Sequence, residues 1–188
     1  MPIEVGYRRY ATKGFATPSR RVEIYAAQFV DHGYAPLPDY VEPAVSPVSR
    51  PDLAARYPLV LTSAKVVQFC HSQHRNVPRL RRHSPDPIVE LHPSAAQARG
   101  IAADDWVMVE TPHATMRARA HLNPALATDV LAQFGWWQGC DPLGLPGYDA
   151  EGKGAANYNN LIDATVGDPI SGTMALRSSL CEVRRATE

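Results

Sequence analysis

From Tyr57 onward the chain is patterned in short apolar runs separated by prolines, glycines and polar clusters, and the runs have the length of strands. Leu59-Val60-Leu61-Thr62 reads as a buried strand. Ile88-Val89-Glu90-Leu91 reads as a second, stopped at His92-Pro93 because proline cannot donate to a sheet ladder. Trp106 to Thr111 and Met116 to Leu122 flank Pro112-His113-Ala114, and the second of them alternates with period two, which predicts a hairpin. Val130-Leu131-Ala132-Gln133-Phe134 supplies a fifth strand, and Leu180-Cys181-Glu182-Val183-Arg184 a sixth with alternating faces. Between the second and third, Ser94 to Gly100 predicts a helical turn or two, with Ser94 as N-cap and Gly100 closing the C-terminus. Short strands, few helical turns and long glycine- and proline-rich loops predict a mainly β chain closed into a barrel, with its chemistry on the loops.

The residues before Tyr57 lack this periodicity. Thr17-Pro18-Ser19 leads into Val22-Glu23-Ile24-Tyr25, a turn feeding either a short strand or the start of a helix. Prolines 36, 38, 43, 47, 51 and 58 then favour extended, poorly packed backbone. Residues 1–56 are expected to be an extended arm, the remnant of a preceding domain plus a proline-rich linker, and residues 57–188 the barrel.

Composition narrows the partners. With 188 residues, 45% of them hydrophobic, the chain can bury one core and carry an appendage. Nineteen basic residues balance nineteen acidic ones, so no long-range field draws nucleic acid or an anionic membrane, and any phosphate must be met locally. Cys70, Cys140 and Cys181 are widely spaced, which fits a reduced, cytoplasmic compartment and free packing cysteines. Arg8-Arg9 is not followed by an apolar segment, and no stretch is long and apolar enough for membrane insertion.

Two loops carry candidate chemistry. The first follows the Leu59 strand as Thr62-Ser63-Ala64-Lys65 and continues to His71-Ser72-Gln73-His74-Arg75-Asn76; hydroxyls, backbone N–H groups and a cation there suit a phosphate or a polar heterocycle. It is equally readable as a polar surface loop, and His71-x-x-His74 lacks complementary ligands for zinc. The second runs from Gly135 to Thr173 with little regular pattern, which in a compact domain marks function or disorder; its adjacent Trp136 and Trp137 argue against disorder. Those tryptophans suit either core packing or an apolar wall against a flat ring, and Asn157 and Asn159 suit either turns or the hydrogen-bonding edges of a pterin or purine.

The order of these segments resembles the C-terminal molybdopterin-dinucleotide-binding domain of the dimethyl-sulfoxide-reductase family of molybdenum and tungsten oxidoreductases. The resemblance rests on Tyr57 to Lys65 with His71 to Asn76, on Val89 to Pro93 and Arg99-Gly100-Ile101, on Asp104 to Val109, and on Gly135-Trp136-Trp137. It continues through Asn157-x-Asn159-x-Leu161, Asp168 to Thr173 and Arg177. Gly14 to Tyr25 resembles the segment that precedes this domain in full-length members. The resemblance implies a six-stranded double-psi β-barrel of the aspartate-decarboxylase-like kind that binds a bis(molybdopterin guanine dinucleotide) cofactor carrying molybdenum or tungsten. It implies cofactor contacts at Thr62, Ser63, Ala64 and Lys65, at His71, Ser72, Gln73 and His74, and at Asn159 and Arg177, with Trp136 and Asn157 as further candidates.

This sequence departs from the family where Ala64-Lys65 replaces a common Gly-Arg: lysine keeps the charge and loses the planar fork. Neither an iron–sulfur cysteine cluster nor a protein ligand to the metal stands at a matching position, so no catalytic or metal-ligating residue is assigned. The expected partner is therefore the catalytic remainder of the oxidoreductase, as other domains or a large subunit, which would also hold any iron–sulfur cluster. The alternative is a double-psi barrel serving as an interaction module without cofactor, with Arg79, Arg81 and Arg82 beside the first loop as a peptide-docking surface.

Overall fold

A computed structural model describes residues 6–127, 129–133 and 135–187, with Asp129 and Gln133 described by their backbone alone. The chain divides into two compact units, Met1–Val41 and Glu42–Glu188. In the first, helices α1 (Tyr10–Lys13) and α2 (Ala27–Asp31) are each little more than one turn. Phe15 stacks on Tyr10 with ring centroids 4.8 Å apart, and the Arg20 guanidinium donates to the Lys13 carbonyl. Val22–Tyr25 forms neither strand nor helix; the helix starts after Ala26, whose N–H is taken by the Pro36 carbonyl at 2.9 Å.

In the second unit the proline-rich passage is folded, not merely extended. Ser46 is buried; its N–H donates to Ser49 Oγ at 2.9 Å, Ser49 Oγ donates to the Pro43 carbonyl at 2.7 Å, and Ser46 Oγ bonds the Glu42 carboxylate. These serines supply the hydrogen bonds that the neighbouring prolines cannot. Pro51 then opens helix α3 (Pro51–Ala54) at a position where its missing N–H has no intrahelical partner to lose.

Six strands follow: β1 (Leu59–Ala64), β2 (Ile88–Leu91), β3 (Trp106–Glu110), β4 (Thr115–Leu122), β5 (Asp129–Gln133) and β6 (Ser179–Arg185). They close into the ring β1-β5-β2-β4-β3-β6, the expected six-stranded double-psi barrel. β1 lies parallel to β5, with Leu61 opposite Val130, and β2 parallel to β4, with Val89 opposite Ala120; the other four seams are antiparallel. Exchanging β1, β2 and β3 for β4, β5 and β6 reproduces the same ring with the same directions, so the scaffold has a pseudo-twofold axis. Of the sequence-expected strand near residue 130, Phe134 lies outside the described residues.

Strand directions fix where the loops emerge. β1, β3 and β5 end at one rim, and β2, β4 and β6 end at the other. The segments after β1 (residues 65–87) and after β5 (through Ser178) therefore share a rim with the short β3–β4 turn, while residues 92–105 and the β4–β5 turn occupy the opposite one.

Alternation fills the interior. Leu59, Leu61, Val89, Leu91, Val107, Val109, Met116, Val130 and Val183 point inward, with Ala118, Ala120, Ala132 and Cys181 as the small partners a narrow barrel requires. Val89 illustrates the fit, flanked by Ala120 on one side and Ala132 on the other. On the outside, the Trp106 ring lies under two guanidiniums, Arg119 at 4.2 Å and Arg117 at 4.4 Å from its centroid. Helix α5 (Pro93–Gln97) forms where expected but is capped by His92, whose Nδ1 accepts the Ser94 N–H at 3.2 Å. Pro93 takes the first helical position, which holds the residue before it extended and makes that residue the cap. Arg99, just beyond α5, forks onto both oxygens of Glu182 and ties this turn to β6. Among the described residues no helix is long and apolar enough to cross a membrane.

Candidate functional site

The parallel pairing of β1 with β5 places the ends of both strands, Ala64 beside Gln133, at the rim from which the two long loops leave. Thr62, Ser63 and Ala64 are half-buried at the end of β1, and Lys65 steps out into solvent. The first loop then makes helix α4 (Pro78–Arg81) before returning to β2.

Near its start this loop is tightly turned. The Gln73 N–H donates to the Cys70 carbonyl at 2.9 Å, and His71 and His74 sit at φ 53° and 70°, a region that side-chain-bearing residues rarely occupy. The loop holds that conformation because it is clamped from the other side. Gly135, at φ 101°, packs so closely that a Cβ there would stand 2.6 Å from the His71 carbonyl oxygen, and the Trp136 N–H donates to Ser72 Oγ at 3.0 Å.

Trp136 extends the contact. Its indole N–H donates to the Tyr148 carbonyl at 2.8 Å, and its backbone pairs with Asn157 in an isolated bridge. The Asn157 side chain is committed locally: its oxygen accepts the Asn159 N–H at 3.3 Å as the cap of a 3₁₀ turn (Tyr158–Leu161), and its amide nitrogen donates to the Ala150 carbonyl at 3.2 Å. Asn159 itself is exposed.

Tyr158 joins the remaining pieces. Buried in the core, its hydroxyl donates to the Leu176 carbonyl at 2.7 Å and is hydrogen-bonded by the Ser63 side chain. Burial pushes the phenol up to about 12, so it stays a neutral donor. One buried hydroxyl thus draws together the end of β1, the 3₁₀ turn and the segment carrying Arg177. Tyr158→Phe is expected to cost about 1–3 kcal/mol of stability, since it strands the Leu176 carbonyl and the Ser63 hydroxyl. A urea-unfolding midpoint equal to wild type would refute this.

Beneath the first loop lie two arginines that the sequence placed on its polar surface, Arg75 in the His71-to-Asn76 run and Arg81 in the alternative docking surface. Arg75 and Arg81 are both wholly buried. The Arg75 guanidinium lies 4.7 Å from the ring centroids of both Phe69 and Trp137 and donates to the His71 carbonyl. Burial, and then the charge of Arg81, pulls its pKa down to about 10. Arg81 lies 4.9 Å from the Trp137 ring and donates to the carbonyls of Pro85 (2.7 Å), Arg75 (3.2 Å), Pro146 (3.0 Å) and Gln138. Trp137 is accordingly a core residue, packed edge-on against Phe69. Arg81 does not join Arg79 and Arg82 in a docking surface, because its guanidinium is consumed inside the fold.

The geometry therefore connects Ser63 through Tyr158 to the Arg177 segment, and Ser72 through Trp136 to Asn157. It leaves the side chains of Lys65, Gln73, His74, Asn159 and Arg177 exposed and without hydrogen bonds among the described residues. No third ligand joins His71-x-x-His74 among those residues. The segment 65–87 carries Lys65, Arg75, Arg79, Arg81 and Arg82 against the single acid Asp86, a local excess of positive charge on a chain of zero net charge. Of the residues missed, Gly135 left a signal, a glycine directly after a strand; Arg75, Arg81 and Tyr158 left none, since polar loop residues read as solvated.

Residues 59–180 match the family model described as the molydopterin dinucleotide binding domain. The chain is 41% identical over 108 residues to acetylene hydratase of Syntrophotalea acetylenica, covering 55% of this chain and 14% of that protein. It is 33% identical over 182 residues to dopamine dehydroxylase of Eggerthella lenta, covering 93% and 17% respectively. The solved structure of acetylene hydratase from Pelobacter acetylenicus superposes with a TM-score of 0.76 at 31% identity over 93% of this chain and 24% of that one. This chain thus spans only 14–17% of the length of these two curated relatives.

Proposed function

The chain belongs to the molybdopterin dinucleotide-binding domain family, and on that premise we propose that it holds a bis(molybdopterin guanine dinucleotide) cofactor of molybdenum or tungsten as the C-terminal part or small subunit of an oxidoreductase. The observation that carries this reading is the shared rim, where two interlocked loops expose cations and a side-chain amide without satisfying them internally.

The residues present fit such a group. A pyrophosphate calls for positive charge with little neighbouring acid, which the exposed Lys65, Arg79 and Arg82 supply in a segment, 65–87, whose single acid is Asp86. A pterin or guanine edge calls for a paired donor and acceptor, which the exposed Asn159 amide offers. Thr62, Ser63, Ala64 and His71 to His74 line the first loop against it, Lys65 and Arg177 meet its anionic parts, and Trp136 with Asn157 shapes the second loop. When bound, the metal held by the pterin dithiolenes supplies the redox chemistry. The chain contributes position, hydrogen bonds and charge. The metal's protein ligand, any iron–sulfur cluster and the substrate funnel are assigned to the remainder of the enzyme. An interaction barrel without cofactor is disfavoured by the burial of Arg81, which removes the centre of the docking surface it would use.

The test is to co-express the chain with its neighbouring genes, purify the complex, and assay metal and released guanine dinucleotide. Both are expected. Lys65→Ala and Asn159→Ala are expected to lower retention several-fold while changing stability by no more than about 0.5 kcal/mol, as exposed side chains do. A complex lacking both metal and pterin sinks the reading.

A further inference from the structure

A guanidinium with no exposed surface is a costly component, because desolvating a charge costs several kcal/mol and an apolar side chain of similar volume would fill the space at least as well. Arg81 is in addition without a carboxylate partner in any ion pair among the described residues. What it gains instead is four backbone carbonyls and the face of an indole.

The identity of those carbonyls is informative. Arg75 and Pro85 belong to the first loop, Gln138 and Pro146 to the second. Arg75 directly follows His74, and Gln138 stands two residues after Trp136. Trp137, under the same guanidinium, passes its own N–H to the Ala156 carbonyl at 3.1 Å, one residue from Asn157. One side chain is therefore wired to the backbone beside every cluster of the rim except those on β1 and at Arg177.

We propose that Arg81 is a positioning residue for the dinucleotide site: its buried fork sets the separation of the two rim loops, and through them the placing of His74, Trp136 and Asn157. This rests on the cofactor reading above and adds a residue that touches no ligand. The planar fork is the operative feature, since a guanidinium can address four carbonyls in one plane with fixed angles whereas an ammonium offers three donors on a swivelling stem.

The experiment titrates the full chain and its Arg81→Lys and Arg81→Met variants with GDP as probe, well below each melting midpoint, and follows amide exchange in the same samples. Arg81→Lys keeps the charge and is the deciding variant should Arg81→Met fail to fold. It is expected to bind GDP at least tenfold more weakly. Amide protection should fall in residues 70–86 and 136–148 together while β3 and β6 keep theirs. Equal GDP affinity for wild type and Arg81→Lys overturns the inference and leaves the cofactor reading standing. So does protection lost evenly across β3 and β6, which would make Arg81 a general stabiliser. Wild type that takes up no GDP overturns the reading itself.

Discussion

Gly135→Ala is expected to uncouple the two rim loops and to abolish cofactor retention while leaving the barrel folded. The position is demanding twice over. Its φ of 101° lies where a side-chain-bearing residue is strained by about 1–3 kcal/mol. The added Cβ would also meet the His71 carbonyl oxygen at 2.6 Å and the Ser72 nitrogen at 3.0 Å, and both are backbone atoms that cannot swing aside. Relief requires the second loop to lift, which breaks the Trp136-to-Ser72 hydrogen bond. Metal and pterin retained by the co-expressed complex should fall more than tenfold, while circular dichroism of the barrel persists. Wild-type retention by this variant would show that the loops need not be docked for binding.

The second large effect is expected at Trp137. Truncating this fully buried indole to alanine should cost about 3–5 kcal/mol, the range for large aromatic side chains in cores. The loss reaches past the cavity, because two buried guanidiniums at 4.7 and 4.9 Å would forfeit their aromatic partner, at about 0.5–2 kcal/mol each. Trp136→Ala, by contrast, removes a half-buried ring and one hydrogen bond to the Tyr148 carbonyl, and should cost less than half as much. Denaturant unfolding of the two variants side by side decides the matter. Equal costs would mean that Trp137 does not organise the cluster.

The strands were legible because a half-buried strand must alternate: Met116 to Leu122 cannot hide Ala118 and Ala120 without exposing Arg117 and Arg119. Strand partners were not legible in the same way, since a period of two carries no address; family resemblance implied the kind of barrel, and the neighbourhood of β1 and β5 emerged only with the structure. The helix after β2 was readable, but its cap was not, because Pro93 took the first helical position and moved the cap back two residues, from Ser94 to His92. Serine-built turns inside the proline-rich passage went unseen because prolines suggest what backbone cannot do, and Ser46 and Ser49 compensate. At the site, exposed residues such as Lys65 and Asn159 could be nominated from polarity. The framework under them could not. Arg75 and Arg81 are hidden by folding itself, and nothing in a run such as His74-Arg75-Asn76 separates a guanidinium facing water from one sandwiched between Phe69 and Trp137.

The twofold relation within the barrel has an evolutionary and engineering consequence. A ring unchanged by swapping its halves offers two equivalent ends, so nothing in the strands themselves dictates which end acquires a ligand; the choice lies in where the insertions accumulated. By the same exchange, the connection after β1 corresponds to the brief β4–β5 turn, and the extended run after β5 corresponds to residues 92–105. The plain end is thus an unelaborated duplicate of the elaborated one. Grafting a second recognition segment at the β4–β5 turn would ask of the scaffold only what its mirror position already supports.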